Sequence, residues 1–202
     1  MIRNIVFDMA WVLFEYRPME FVNKYCPNPD DAELVNRELY CAPEWNETDR
    51  GTMTDEEYLS IVLKRIPTRL HGAAKYLYDH WHEMPKPFEC MEELIRVLKG
   101  NGYGIYLLTN MSSRFYRFYQ RIPAIQYFDG MIVSADVHML KPEPGIYLKL
   151  FDKFCLKPEE CFFVDDRKDN IEAGEALGMK GFCYQQSMEE LKKALEAEGI
   201  RI

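Results

Sequence analysis

No stretch of this sequence approaches the roughly 20 consecutive apolar residues that a bilayer span requires, and nothing in it repeats or falls into low-complexity composition. Membrane-spanning and solenoid readings are therefore excluded. Basic residues are the minority, 25 Lys and Arg against 33 Asp and Glu, for a formal net charge of −8. That balance opposes general attraction to nucleic-acid phosphates or anionic lipid, so an anionic ligand needs a locally positive pocket or a metal. Cys26, Cys41, Cys90, Cys155, Cys161 and Cys183 include no CxxC pair, which argues against a zinc site or a compact disulfide framework and for reduced thiols. The opening MIRNIVFDMAWVLF meets an Asp too early for a secretory leader, and a cytoplasmic location is expected.

Hydrophobic residues make up 48% of the 202, enough for a substantial core in one domain, or in one domain carrying a smaller inserted one. Residues 2–7 are short, β-branched and apolar, and read as a buried strand ending at Asp8. The next comparable run is 103–108. Between them, residues 19–25, 29–40, 54–66 and 70–81 carry apolar side chains at helical spacing, with a capping-box signature at Thr54 and Glu57. An all-helical insertion over about 15–88 follows, marked by Pro18 on one side and Pro85 and Pro87 on the other. Beyond it the pattern alternates: helix 90–99, strand 103–108, helix from Ser112, strand 130–134, helix from Glu143, strand 161–164, helix from Asn170, strand 181–184, helix from Met188. Alternation of this kind implies an α/β fold with a parallel sheet, whose ligands sit beyond the carboxyl ends of the strands.

The residues closing those strands are Asp8, Thr109 with Asn110, Ser134 with Lys141 a little later, and Asp165 with Asp166. Carboxylates, a hydroxyl, an amide and an ammonium would converge on one rim. The chemistry they suit is phosphoryl transfer to a carboxylate nucleophile. A carboxylate is repelled by phosphate, so a divalent cation on hard oxygen ligands, which Asp8 and Asp166 can supply, must offset part of the charge. Lys141 would offset more, and Thr109 and Asn110 can donate hydrogen bonds to the equatorial oxygens.

IVFDMAWVL, LLTNMSS, KPEPGIY and FFVDDRKDNIEAGEALGM resemble, in order and separation, the four motifs of the haloacid dehalogenase superfamily, and the resemblance covers essentially the whole chain. It implies a Rossmann-like core of residues 1–14 and 89–202 and a helical cap over 15–88, like that of the first cap subclass. DRGTMTDEEY and LKGNGYGIYLLTN more narrowly resemble the branch containing sugar-phosphate phosphatases and the N-terminal domains of soluble epoxide hydrolases. By the resemblance Asp8 is the nucleophile that forms an aspartyl-phosphate, Thr109 binds phosphoryl oxygens, and Lys141 stabilises the charge of both. Mg²⁺ would be held by Asp8, the main-chain carbonyl of Ala10 and Asp166, with Asp165 and Asn170 supporting them from behind. The implied partner is a small phosphorylated metabolite, with no nucleic acid or membrane; the oligomeric state is left open.

Two positions depart from the family pattern. Phosphatases of the superfamily typically carry a second Asp two residues after the nucleophile, as general acid and then base; here that residue is Ala10, and some members resembling this branch also have a small residue there, usually Gly. Such help is worth about 10²- to 10⁴-fold in rate. Trp11 follows, where Gly or Asn is more common, and could fill the vacated space, narrow the entrance or pack on the cap. Glu15 is a candidate replacement acid. The alternatives are a catalytically weak or inert phospholigand binder, or a metal-independent 2-haloacid dehalogenase, the latter opposed by the acidic Asp165–Asp166 pair. His80 and His82 would point about 200° apart on a helix, against a metal site. RFYRFYQR reads as an amphipathic helix packed on the sheet rather than a nucleic-acid surface.

Overall fold

The computed structural model describes residues 1–202. Its strands are β1 (Asn4–Phe7), β2 (Phe14–Glu15), β3 (Lys86–Pro87), β4 (Gly104–Thr109), β5 (Gly130–Val133), β6 (Cys161–Asp165) and β7 (Lys180–Cys183). Its α-helices are α1 (Pro18–Asn23), α2 (Pro29–Tyr40), α3 (Trp45–Arg50), α4 (Asp55–Arg65), α5 (His71–His80), α6 (Glu89–Gly100), α7 (Ser134–Val137), α8 (Pro144–Phe154), α9 (Lys168–Ala176) and α10 (Met188–Ala197). No helix is long and apolar enough to cross a membrane.

Five strands form one parallel sheet in the order β5-β4-β1-β6-β7, so the first strand lies at its centre. Both faces are covered, and side chains alternate between them. Ile5 and Phe7 join Ile105, Leu107, Phe162 and Val164 in the larger apolar layer, with Leu94 and Ile95 of α6 and Leu191 of α10. Val6, Leu108 and Phe163 face the smaller layer, filled by Ile146, Tyr147 and Leu150 of α8. The register pairs Phe7 with Leu107 and with Val164. One residue further on, Asp8 is level with Leu108 and Asp165, and the rim expected from the sequence forms at one edge of the sheet.

Helices α1 to α5 lie between β1 and β4, and the two connections to them are tied by an antiparallel ribbon pairing Phe14 with Pro87 and Glu15 with Lys86. The capping box of α4 is present: the Glu57 N–H donates to the Thr54 hydroxyl at 3.2 Å, and the Thr54 N–H donates to the Glu57 carboxylate at 2.9 Å. Leu39, Tyr58, Val62 and Leu77 are buried in the same apolar layer as the sheet. The sequence reading had no helix at 45–50. Its short α3 ends at Gly51, whose φ of 74° favours glycine, and a Cβ there would lie 2.5 Å from the Ala135 carbonyl oxygen. Only glycine lets this helix end rest against α7.

The helix expected from Ser112 is not formed. Residues Ser113–Arg117, Tyr119–Arg121 and Pro123–Tyr127 make three short 3₁₀ turns instead. Ile122, preceding Pro123, is extended (φ −93°, ψ 104°), as the proline ring demands, and that ends any continuous helix. The two histidines also depart from the helical geometry assigned to them. The α-helix ends at His80 and the chain tightens through Trp81–Glu83, which brings the two rings to 6.2 Å between centroids.

Candidate active site at the carboxyl ends of the strands

The centre of the site is a buried cation. Lys141, on the loop after α7, donates to the Leu108 carbonyl at 2.8 Å and lies 2.7 Å from both Asp8 Oδ1 and Asp165 Oδ2. Its three ammonium hydrogens are thereby used. Burial pulls its pKa down, but Asp165 and Asp8 more than reverse this and leave it raised. Asn110 holds the lysine in place: its amide donates to the Lys141 carbonyl at 2.9 Å and accepts from the Lys141 N–H at 2.8 Å. Asn110 was expected among the phosphate donors; here one of its two N–H groups and its oxygen hold the Lys141 backbone. Thr109 lies buried at the end of β4, one residue before it.

The two consecutive aspartates at the end of β6 have different surroundings. Asp165 is fully buried and accepts from the Arg167 N–H at 2.8 Å and from the Asn170 amide at 2.9 and 3.1 Å, besides contacting Lys141. Its carboxylate is saturated by the protein. Asp166 is half-buried, and its carboxylate lies with those of Asp8 and Asp165 within a span of 4.8 Å. Asn170 rather than Asp169 is the inward residue of α9: Asp169 is exposed and paired with Arg167 at 2.6 Å.

Three carboxylates against one ammonium leave an excess of negative charge in a poorly solvated place. Burial raises the Asp8 carboxyl to about 7; Lys141 opposes the rise, and Asp165 and Asp166 add to it. Asp166 is raised as well, first by burial and then by Asp165. The Asn170 Oδ1 is a buried acceptor without a partner. Clustered hard oxygens, surplus negative charge and an orphaned acceptor suit a hydrated divalent cation of the Mg²⁺ type.

Ala10 belongs to a tight turn in which the Leu13 N–H donates to Met9 O at 2.7 Å and the Trp11 N–H to Phe14 O at 2.8 Å. Trp11 takes a left-handed φ of 61°, and its half-buried ring has the Arg17 guanidinium 6.0 Å from its centroid. The space beside Ala10 stays open. A cavity of about 220 Å³ is lined there by Ala10, Asn110 and Met111 from the core, aromatic rings including Phe14, Tyr40, Trp45 and Trp81, and one carboxylate, Asp49. Glu15, the candidate replacement acid, is not in it. Side chains alternate along β2, so Phe14 and Tyr16 face the cavity while Glu15 turns away to pair with Arg17 at 2.6 Å.

Behind the aromatic walls lies Arg114, from the run read as one face of a helix. Its side chain is 1% exposed and stacks on Tyr78 at 3.9 Å, with Trp45 at 4.9 Å and Trp81 at 5.4 Å. Trp45 and Trp81 were not singled out from the sequence, and Asp49 and Arg114 fell inside DRGTMTDEEY and RFYRFYQR without a role of their own.

A family model described as haloacid dehalogenase-like hydrolase matches residues 51–183. The chain belongs to this family. Among curated relatives of this hydrolase is a sesquiterpene phosphatase of Aspergillus oryzae, 27% identical over 91% of the chain and 90% of the relative. An HAD family enzyme of Bacteroides thetaiotaomicron, solved in complex with magnesium and inorganic phosphate, shares the fold with a TM-score of 0.71 at 20% identity, covering 95% of this chain and 99% of that one. The L-2-haloacid dehalogenase of Xanthobacter autotrophicus shares it at a TM-score of 0.66 and 17% identity, covering 98% and 84%. At these identities the two structures speak for the α/β fold, with its Rossmann-like sheet, and for nothing finer.

Proposed function

We propose that this hydrolase cleaves small phosphate monoesters through an aspartyl-phosphate on Asp8, with Mg²⁺ as cofactor. The observation that carries the reading is the Lys141 ammonium, 2.7 Å from Asp8 and from Asp165, with the less encumbered Asp166 carboxylate close by. Asp8, Asp166 and the Ala10 carbonyl would hold Mg²⁺, which when bound offsets the phosphate charge that would otherwise repel Asp8. Asp8 attacks phosphorus. Lys141 keeps the nucleophile oriented and neutralises charge on the transferred group. Thr109 binds a phosphoryl oxygen, while Asp165, Asn110 and Asn170 hold the lysine and one another in place. The helical insertion over 15–88 acts as a cap on a core of 1–14 and 89–202, excluding water and meeting the organic part of the substrate. The phosphatase named among the curated relatives supports the reaction class.

Ala10 favours a second reading, a phospholigand binder with little or no turnover, because the usual proton donor is missing. A panel of phosphomonoesters assayed for phosphate release with Mg²⁺ separates the two. Turnover that is lost in Asp8→Asn and on adding EDTA supports the phosphatase; binding without turnover supports the binder. Halide release from a 2-haloacid that survives EDTA would overturn both.

A further inference from the structure

A phosphate-ester hydrolase with Ala10 after its nucleophile still needs a proton for the leaving oxygen, and the fold brings one carboxylate to the cavity beside Ala10. We propose, resting on the phosphatase reading, that Asp49 of α3 is that proton donor and that the aromatic chamber it lines receives the apolar alcohol portion of the ester.

The placement of Asp49 is built. Ser134 Oγ donates to the Asp49 carbonyl at 2.5 Å and accepts from the Met111 N–H at 2.8 Å, joining α3 to the loop that follows Thr109. Arg50 grips Glu143 with two bonds of 2.5 and 3.1 Å, and Gly51 rests on Ala135. These ties fix the end of α3 over the strand ends. The Asp49 carboxylate itself faces the Ser112 backbone N–H and the Trp45 indole. It shares the chamber with Ala10 and Asn110, the residues two after Asp8 and one after Thr109. Trp81, 2% exposed and part of the wall, has a buried indole N–H with no partner in the protein. A buried donor left unpaired is unfavourable unless something accepts from it.

Burial raises the Asp49 carboxyl to about 7 against the pull of Arg114, with the Ser112 amide and the Trp45 indole opposing the rise as well. The titratable or charged groups facing it are Arg114, Tyr16 and Tyr58. An acid at that value is protonated in a useful fraction near neutrality and can both give and retake a proton. The chamber, about 220 Å³, exceeds the roughly 150 Å³ that accommodates benzene in an engineered cavity, so a ring with a short arm fills it.

The step balances. As the Asp8 carboxylate bonds to phosphorus, the ester P–O bond breaks, its electron pair stays on the alcohol oxygen, and that oxygen takes the Asp49 proton. Water then attacks phosphorus and passes one proton to the Asp49 carboxylate. The Asp8–phosphorus bond breaks, and both aspartates return to their starting states.

The test compares benzyl phosphate, a poor leaving group, with 4-nitrophenyl phosphate, a good one, in wild type, Asp49→Asn and Asp49→Glu, with Mg²⁺ throughout. For Asp49→Asn we expect kcat on benzyl phosphate to fall about 100-fold, a loss at least tenfold greater than on 4-nitrophenyl phosphate, with partial recovery in Asp49→Glu. The wild-type ratio of the two rates should fall as pH rises through about 7. That readout needs no variant to fold. The KM of benzyl phosphate should also lie well below that of glycerol 3-phosphate. Equal losses on both aryl and benzyl esters, or a ratio flat with pH, overturn the role of Asp49, and a lower KM for the polar ester overturns the chamber. Failure of the wild type to hydrolyse any of the three esters overturns the phosphatase reading and this assignment with it.

Discussion

Lys141 and Arg114 each have a side chain only 1% exposed, and they are accommodated in opposite ways. The lysine sits among oxygens at 2.7, 2.7 and 2.8 Å. The arginine sits among three rings, with longer bonds of 3.3 Å to Ser112 and Tyr78, Asp55 at 3.6 Å, and one terminal nitrogen without a partner. An ammonium is compact and strongly hydrated, so oxygens must replace its water; a guanidinium is flat and weakly hydrated, so aromatic faces can do so. The first arrangement fixes a point charge where a phosphate would bind. The second organises the apolar wall against which the organic part of a substrate would lie.

The sharpest way to break the contrast is Lys141→Met, which strands two buried carboxylates. Urea unfolding without metal should show a loss of about 3–5 kcal/mol; an unchanged midpoint would show that those carboxylates need no counter-charge. Gly51→Ala should come next, at about 1–3 kcal/mol, because its left-handed backbone and the Ala135 carbonyl both resist a methyl group. That substitution disturbs the α3 side and spares Lys141, so proton exchange should quicken around Trp45 while the backbone at Asp8 stays protected.

Arg114→Lys keeps the charge and loses the stacking. We expect about 1–2 kcal/mol of destabilisation, most of what Arg114→Met loses. A lysine that restored full stability would reduce the aromatic cage to a simple counter-charge for Asp55. The last expectation concerns pH. Asp49 titrates near 3.8 when unperturbed and at about 7 in the fold, so the folded protein holds a proton that the unfolded chain has released. The stability this contributes is complete below about pH 4 and is lost as pH rises to about 7. Midpoints for wild type and Asp49→Asn at pH 4.5 and 7.5 should therefore converge or cross in favour of the variant at the higher pH. A constant gap would place Asp49 in water rather than in the chamber.

The strand-end rim was legible in the sequence because short continuous apolar runs stop abruptly on Asp8, Thr109 and Asp165, and a parallel sheet sends those stops to one end. Which neighbour does what was not legible. Asp165 and Asp166 are chemically identical in a sequence, and only the Arg167 and Asn170 bonds show which one the protein has already satisfied. Likewise Glu15 was near Ala10 along the chain yet on the wrong face of β2, whereas Asp49 is 39 positions away and shares a wall with it.

Local chemistry thus determined the α/β order, the run of helices between β1 and β4 and the identity of the polar groups at the strand ends, since periodicity and side-chain type act over a few residues. The aromatic chamber, the buried Arg114 and the meeting of α3 with the loop after β4 were decided by tertiary packing. Each depends on side chains from segments far apart in the chain, and whether such groups are solvated, paired or left open is fixed only when the intervening helices close over them.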